Sequence, residues 1–97
     1  MKNFETFINE SKEYPVYHNT YSSVIDSIES YINSLGYDLD QEEYSNAYVD
    51  AFFKPKGGKS KKDTLTLYKN GKKQKKAAHI QIYNRGNDKF ELNIYIN

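Results

Sequence analysis

The 97-residue chain contains neither cysteine nor tryptophan. Without cysteine there are no disulfide staples and no thiolate metal sites, and cysteine usage leaves the redox compartment undecided. Long apolar runs are missing too. None approaches the roughly 20 residues of a membrane-spanning helix, and the N-terminus lacks the apolar core and small-residue cleavage site of a secretory signal. These absences predict a soluble, intracellular protein with no membrane partner. Hydrophobic residues make up only 37% of the chain, enough for one modest core and too little for two.

Tyrosine and phenylalanine stand in for the missing apolar material. Ten tyrosines and five phenylalanines carry the whole 15% aromatic share, and such large amphipathic rings cover much surface. The net charge of +1 hides a division at the Phe53-Lys54 bond. Before it, two lysines face ten acids, a net of −8; after it, eleven lysines and Arg85 face three acids, a net of +9. Such asymmetry fits either packing of one half on the other or a basic surface that meets an anionic partner.

Hydrophobic spacing predicts the elements. Val24, Ile25, Ile28, Tyr31, Ile32 and Leu35 recur at three and four, which predicts a helix over 20–35, capped by Asn19 or Thr20 and ended by Gly36. Upstream, Pro15 biases "SKEYPVYHN" to extended linker. Downstream, period-two alternation predicts strands over 47–54, 64–69, 76–83 and 89–96, with Asn70-Gly71 as a tight hairpin turn. The lysine-rich "KPKGGKSKKD" reads as a mobile loop between the first two strands. The expected fold is α+β: one main helix on a four-stranded antiparallel meander, preceded by a short N-terminal amphipathic helix. Expected domain limits are 1–10 for a docking peptide, 11–18 for a linker and 19–97 for the folded domain.

Alternation also predicts two faces. Val49, Ala51, Phe53, Leu65, Leu67, Ala78, Ile80, Ile82, Phe90, Leu92, Ile94 and Ile96 turn toward the helix. Tyr48, Asp50, Thr66, Tyr68, His79, Gln81, Tyr83, Glu91, Asn93 and Tyr95 form an opposite polar face that no second helix covers.

Three kinds of chemistry suggest themselves, on that face, in the lysine-rich loop and hairpin beside it, and in the acidic connection after the helix. Lys54, Lys56, Lys59, Lys61, Lys62, Lys72 and Lys73 would attract phosphates while Tyr68, Tyr83 and Tyr95 stack unpaired bases, a combination suited to a nucleic-acid binding module. Lysines that protect strand edges and tyrosines that pair across strands account for the same residues without a ligand. His79, Tyr83 and Arg85 suggest a toxin-like ribonuclease site, with His79 as base and Arg85 on a phosphate; a solvent-facing histidine is the plainer account, and no enzymatic activity is expected. "DLDQEE" lacks the glycine turn and spacing of a calcium loop, so neither a metal nor a cofactor is predicted.

The head of the chain is "MKNFETFINE". Met1, Phe4, Phe7 and Ile8 lie on one helical stripe, on a peptide too short to be a stable helix alone. It resembles the capsid-targeting peptide of internal head proteins of T-even-like bacteriophages, which begins Met-Lys and ends in an Ile/Leu-x-Glu motif, here Ile8-Asn9-Glu10. The resemblance implies that Phe4, Phe7 and Ile8 dock on the prohead scaffold. It further implies that the maturation protease cuts after the motif formed by Ile8 and Glu10, at the Glu10-Ser11 bond. The mature domain would be packaged with the genome in the virion interior and delivered to the host cytoplasm, where internal proteins counter defence proteins. The C-terminal "KKAAHIQIYNRGNDKFELNIYIN" is similar to a small domain of tailed-myophage proteins, which also points to a phage origin. The alternative expectation is a phage-encoded nucleic-acid or protein binding module.

Overall fold

A computed structural model describes residues 14–49 and 54–97, and these form an α+β domain. In chain order they are β1 (Tyr17–His18), α1 (Tyr21–Ser34), β2 (Asp38–Leu39), α2 (Gln41–Tyr44) running into a π-helical turn (Ser45–Val49), then β3 (Ser60–Lys69), β4 (Lys72–Asn84) and β5 (Phe90–Ile96). All five strands join one antiparallel sheet in the order β1-β5-β4-β3-β2. The expected α+β class holds, with five strands rather than four and a second short helix. The N-terminal helix expected before the domain lies outside the described residues.

Helix α1 forms where its stripe and caps agree. The Thr20 hydroxyl accepts the Ser23 N–H at 3.1 Å, satisfying one of the free donors of the first turn. At the other end Gly36 adopts φ +91°, its N–H reaches the Asn33 carbonyl, and the Tyr37 N–H reaches that of Ile32. That paired closure is a Schellman motif, and it needs a residue tolerant of positive φ. Val24, Ile25, Ile28 and Ile32 are buried, whereas Leu35, expected on the same stripe, is exposed because the helix has already ended at it.

The inner sheet face follows the alternation: Leu65, Leu67, Ala78, Ile80, Ile82, Phe90, Leu92 and Ile94 are buried and Ile96 packs partly against them. Asn70 and Gly71 both take positive φ, as a two-residue hairpin turn of this kind requires. The Val49 side chain and Asp50, Ala51 and Phe53 lie outside what is described.

The first predicted strand is corrected over its described part. Residues 47–49 belong to the π-helical turn, because Asp40 starts a helical coil by accepting the Glu42 and Glu43 N–H groups on one carboxylate oxygen at 2.9 and 3.1 Å. Tyr44 and Tyr48, four apart, then fall on one side of that coil with ring centroids 5.8 Å apart. Tyr48, expected on the open face, is 1% exposed. Residues 14–18, assigned to the linker from sequence, supply an edge strand and the core ring Tyr14.

The loop expected over 54–63 is shorter, since β3 begins at Ser60. It is also tied down by Asn84, which is buried: the Asn84 amide donates to the Pro55 carbonyl at 3.0 Å. Asn84 N–H donates to the Lys59 carbonyl, and Gly58 N–H donates to the Asn84 carbonyl.

Candidate functional site

Register assigns the side chains of the face opposite α1. Tyr17, Glu91, Tyr83 and Ser60 form one cross-strand row, Asn93, Gln81 and Lys62 the next, and Tyr95, His79 and Thr64 the third. No described element covers these rows, and Tyr17, Tyr83 and Tyr95 are exposed. His79 and Tyr95 stack with centroids 4.9 Å apart and planes inclined by 23°. The Arg85 guanidinium lies 5.0 Å from the Tyr17 ring centroid, a distance at which the ring's negative face attracts a cation. Tyr83 and His79, four residues apart on β4, are about 13 Å apart at the rise of a strand. Beside His79 a depression of about 310 Å³ is bordered by Lys62, Thr64, His79, Gln81, Asn93 and Tyr95.

The charge division of the sequence becomes a division among elements. Asp26, Glu29, Asp38, Asp40, Glu42 and Glu43 all belong to α1, β2 and α2, while the lysines gather on β3, β4 and the loop before them. The two ion pairs seen among the described residues, Lys54–Asp88 and Lys61–Asp63, both lie within the basic half.

The candidate lysines fall into separate places. Lys56 and Lys59 sit in the loop beside the β4–β5 turn, and Lys72 and Lys73 flank the β3–β4 turn at the other end of a ten-residue strand, about 33 Å away. Lys62 lies on the open face between them. Lys54 holds Asp88 at 3.2 Å. Lys61 is on the inner face, opposite Ile82, with its ammonium 3.3 Å from Asp63 and 5.5 Å from the Tyr48 ring centroid. Tyr68 is half-buried near the β3–β4 turn, in register with Asp38 and Lys73. There the strand pairing slips, so that Leu67 faces Gln74, Lys75 and Lys76. Phe4, Phe7, Ile8, Glu10 and Ser11 lie outside the described residues.

No family model, curated protein or solved structure matches the chain. The site is accordingly read from its own geometry.

The ribonuclease set is not brought together. Along β4, Tyr83 stands about 13 Å and Arg85 about 20 Å from His79, and the Arg85 side chain is engaged with Tyr17. His79 has instead the Tyr95 ring and the Thr64 hydroxyl, 3.5 Å from its Nδ1. His18 is structural: its Nε2–H donates to the Pro15 carbonyl at 2.8 Å, and its Nδ1 shares a hydrogen bond of 2.7 Å with the Ser23 hydroxyl. Among the described residues no group of three or more acids and histidines is placed to hold a metal. No described helix is long and apolar enough to cross a membrane.

Beneath α2 lies a group of raised phenols. Burial, then Asp63, pushes Tyr21 up to about 12. Burial with Glu29 and Asp26 raises Tyr44, and burial with Asp63 raises Tyr48 further. Tyr44 donates to the Ile25 carbonyl at 2.7 Å, the Tyr48 hydroxyl lies beside the Asp63 carboxylate without a well-formed hydrogen bond to it, and the Tyr21 hydroxyl is buried without a hydrogen bond to a described residue. These groups stay protonated at neutral pH and serve packing.

Alternation places Tyr83 and Tyr95 on this face; Lys62, expected in the loop, joins them because β3 begins at Ser60, and two features of the site carry no sequence signal. Tyr17 arrives through a two-residue strand, too short to leave a periodic signal. Gln81 and Asn93 were on the predicted face, but only the register reveals that they oppose each other beside the stacked rings.

Proposed function

We propose that the chain is a bacteriophage virion-associated protein, addressed to the prohead by residues 1–10, whose folded domain is a non-enzymatic module that binds nucleic acid through the open sheet face. The observation that carries the binding part is this face itself. Exposed Tyr17, Tyr83 and Tyr95 lie on a sheet whose two ends bear lysines, with Glu91 the one acid in their cross-strand rows. Phosphates are drawn to ammonium groups, and any base can stack on a ring. The address part rests on the resemblance of "MKNFETFINE" to a capsid-targeting peptide, with the prohead scaffold and maturation protease as partners. A domain that carries lysines outward suits packaging beside DNA and delivery with it into the host, where a defence protein would be its target.

Fluorescence anisotropy of a labelled single-stranded oligonucleotide tests the binding part. Affinity should fall steeply between about 50 and 200 mM salt; no association at the lower salt overturns it. The ribonuclease alternative predicts cleavage lost in His79→Ala, and binding alone predicts an intact oligonucleotide.

A further inference from the structure

The depression beside the His79–Tyr95 stack has the features of a site for one unpaired nucleobase. Its volume of about 310 Å³ leaves room for a planar ring system. One wall is aromatic: the His79 and Tyr95 rings stack there, and a base entering the depression packs against them. Gln81 and Asn93 face each other across β4 and β5 beside that wall. Asn93 spends one amide N–H on Glu91 at 3.3 Å and keeps its carbonyl oxygen to accept. The Gln81 side chain is half-buried, and its amide, unlike the backbone that joins the ladder, makes no hydrogen bond to another described residue, so it offers both a donor and an acceptor. Lys62, exposed on β3 opposite Gln81, places an ammonium at the rim where the phosphate following a bound base would run.

We infer that this depression reads a single unpaired base of single-stranded nucleic acid, with Tyr95 stacking the base, Gln81 and Asn93 hydrogen-bonding its edge, and Lys62 holding the adjoining phosphate. The inference rests on the proposed nucleic-acid reading and adds a base preference to it. Lysines alone cannot supply such a preference, because phosphate contacts carry no sequence information. Amides presenting a fixed donor and acceptor set to an unpaired base do supply one. Duplex DNA hides the base faces and would bind only through its phosphates.

Anisotropy titrations with fluorescein-labelled dT, dA and dC dodecamers and a duplex of the same length test it, with circular dichroism confirming that each variant is folded. Wild type should prefer one homopolymer at least threefold over the others and bind the duplex more weakly than that homopolymer. Tyr95→Ala should weaken every single strand by roughly 5- to 150-fold, the range of base–ring stacking, while leaving the dependence on salt unchanged. Tyr95→Phe, which keeps the ring, should bind as wild type does. The Gln81→Ala/Asn93→Ala double variant should bind all three homopolymers within twofold of one another. Equal wild-type affinity for all three, or a Tyr95→Ala variant that binds normally, overturns the base site and leaves the basic-surface reading standing. No binding to any oligonucleotide at low salt overturns both.

Discussion

The Tyr14 phenol holds the backbone of Ile94 from eighty residues away: the Ile94 N–H donates to its oxygen at 2.9 Å, and the hydroxyl turns back to the Ile94 carbonyl at 3.4 Å. One side chain thus serves where strand β1 has run out, since β1 pairs only with Phe90 and Glu91. The ring is also buried edge-on against Tyr31, with centroids 4.7 Å apart. Tyr14→Phe keeps the packing and leaves the Ile94 N–H without this acceptor. Urea unfolding should show a loss of about 1–2 kcal/mol, the cost of an unmade buried hydrogen bond. An unchanged midpoint would mean that water replaces the phenol.

The anchor at Tyr14 lies downstream of the proposed scissile bond, Glu10-Ser11. A cut there leaves Tyr14, β1 and α1 in the mature chain. Coexpression with the phage maturation protease should release a ten-residue peptide, and Glu10→Gln should abolish the release. A chain beginning at Ser11 should melt within about 2 °C of the full one, a difference of only a few tenths of a kcal/mol for a domain of this size. Mass spectrometry and thermal melts decide both points. An intact chain under conditions that cut a known substrate counts against the address peptide, and a large drop in melting temperature counts against its being detachable.

Tyr44 and Tyr48 occupy neighbouring places in the same coil, yet their hydroxyls differ. Tyr44 donates to the Ile25 carbonyl and so pins α2 to α1; the Tyr48 hydroxyl is buried beside the Asp63 carboxylate without a well-formed hydrogen bond to it. Tyr44→Phe should therefore cost about 1 kcal/mol, and Tyr48→Phe should cost less, because the hydroxyl it removes makes no well-aligned hydrogen bond. Equal losses in denaturant titrations would show that the Tyr48 hydroxyl is bonded after all.

The raised phenols also set an alkaline limit. An unfolded tyrosine ionises near pH 10, while Tyr21 is pushed up to about 12 and Tyr44 and Tyr48 are held higher still, each mainly by burial. The fold therefore favours the protonated phenol. Stability is fully present below about pH 10 and is lost as pH rises through 12, where the unfolded chain has released protons that the folded one retains. A variant makes the assignment: Tyr48→Phe should move the alkaline unfolding midpoint, followed by far-UV circular dichroism, to higher pH. No movement means that the buried phenol does not set the limit.

Periodicity made α1, β4, β5 and the Asn70-Gly71 turn legible, because each buries one regular face that a short window can reveal. It failed at 47–49, where alternating Ala47 and Val49 imitated a strand. The competing signal was the spacing of four between Tyr44 and Tyr48 together with a cap at Asp40, and a helical turn this short leaves little else to read. The two-residue strands β1 and β2 were illegible in principle, since only tertiary pairing defines them. The same limit applied to the site. The open face could be read from alternation, but the opposition of Gln81 and Asn93, the turning inward of Lys61 and the separation of the lysines depend on register and on how long β3 runs.

Electrostatic binding should distinguish lysines by what already holds them. Lys54 is ion-paired with Asp88, so it has little charge to give a phosphate, whereas Lys72 and Lys73 are exposed beside the β3–β4 turn. For single strands each phosphate neutralised contributes about −0.7 to the slope of log K against log salt. Lys72→Gln/Lys73→Gln should therefore make the slope shallower by about 1.4, if both residues contact the strand. Lys54→Gln should change it by much less. Because the substitutions lie on exposed side chains, folding should be preserved, and duplicate titrations at four salt concentrations give the slopes. Equal effects at Lys54 and at the turn would show that the Lys54–Asp88 pair opens on binding; no effect at the turn would place the nucleic acid at the opposite end of the sheet, beside Lys56, Lys59 and Arg85.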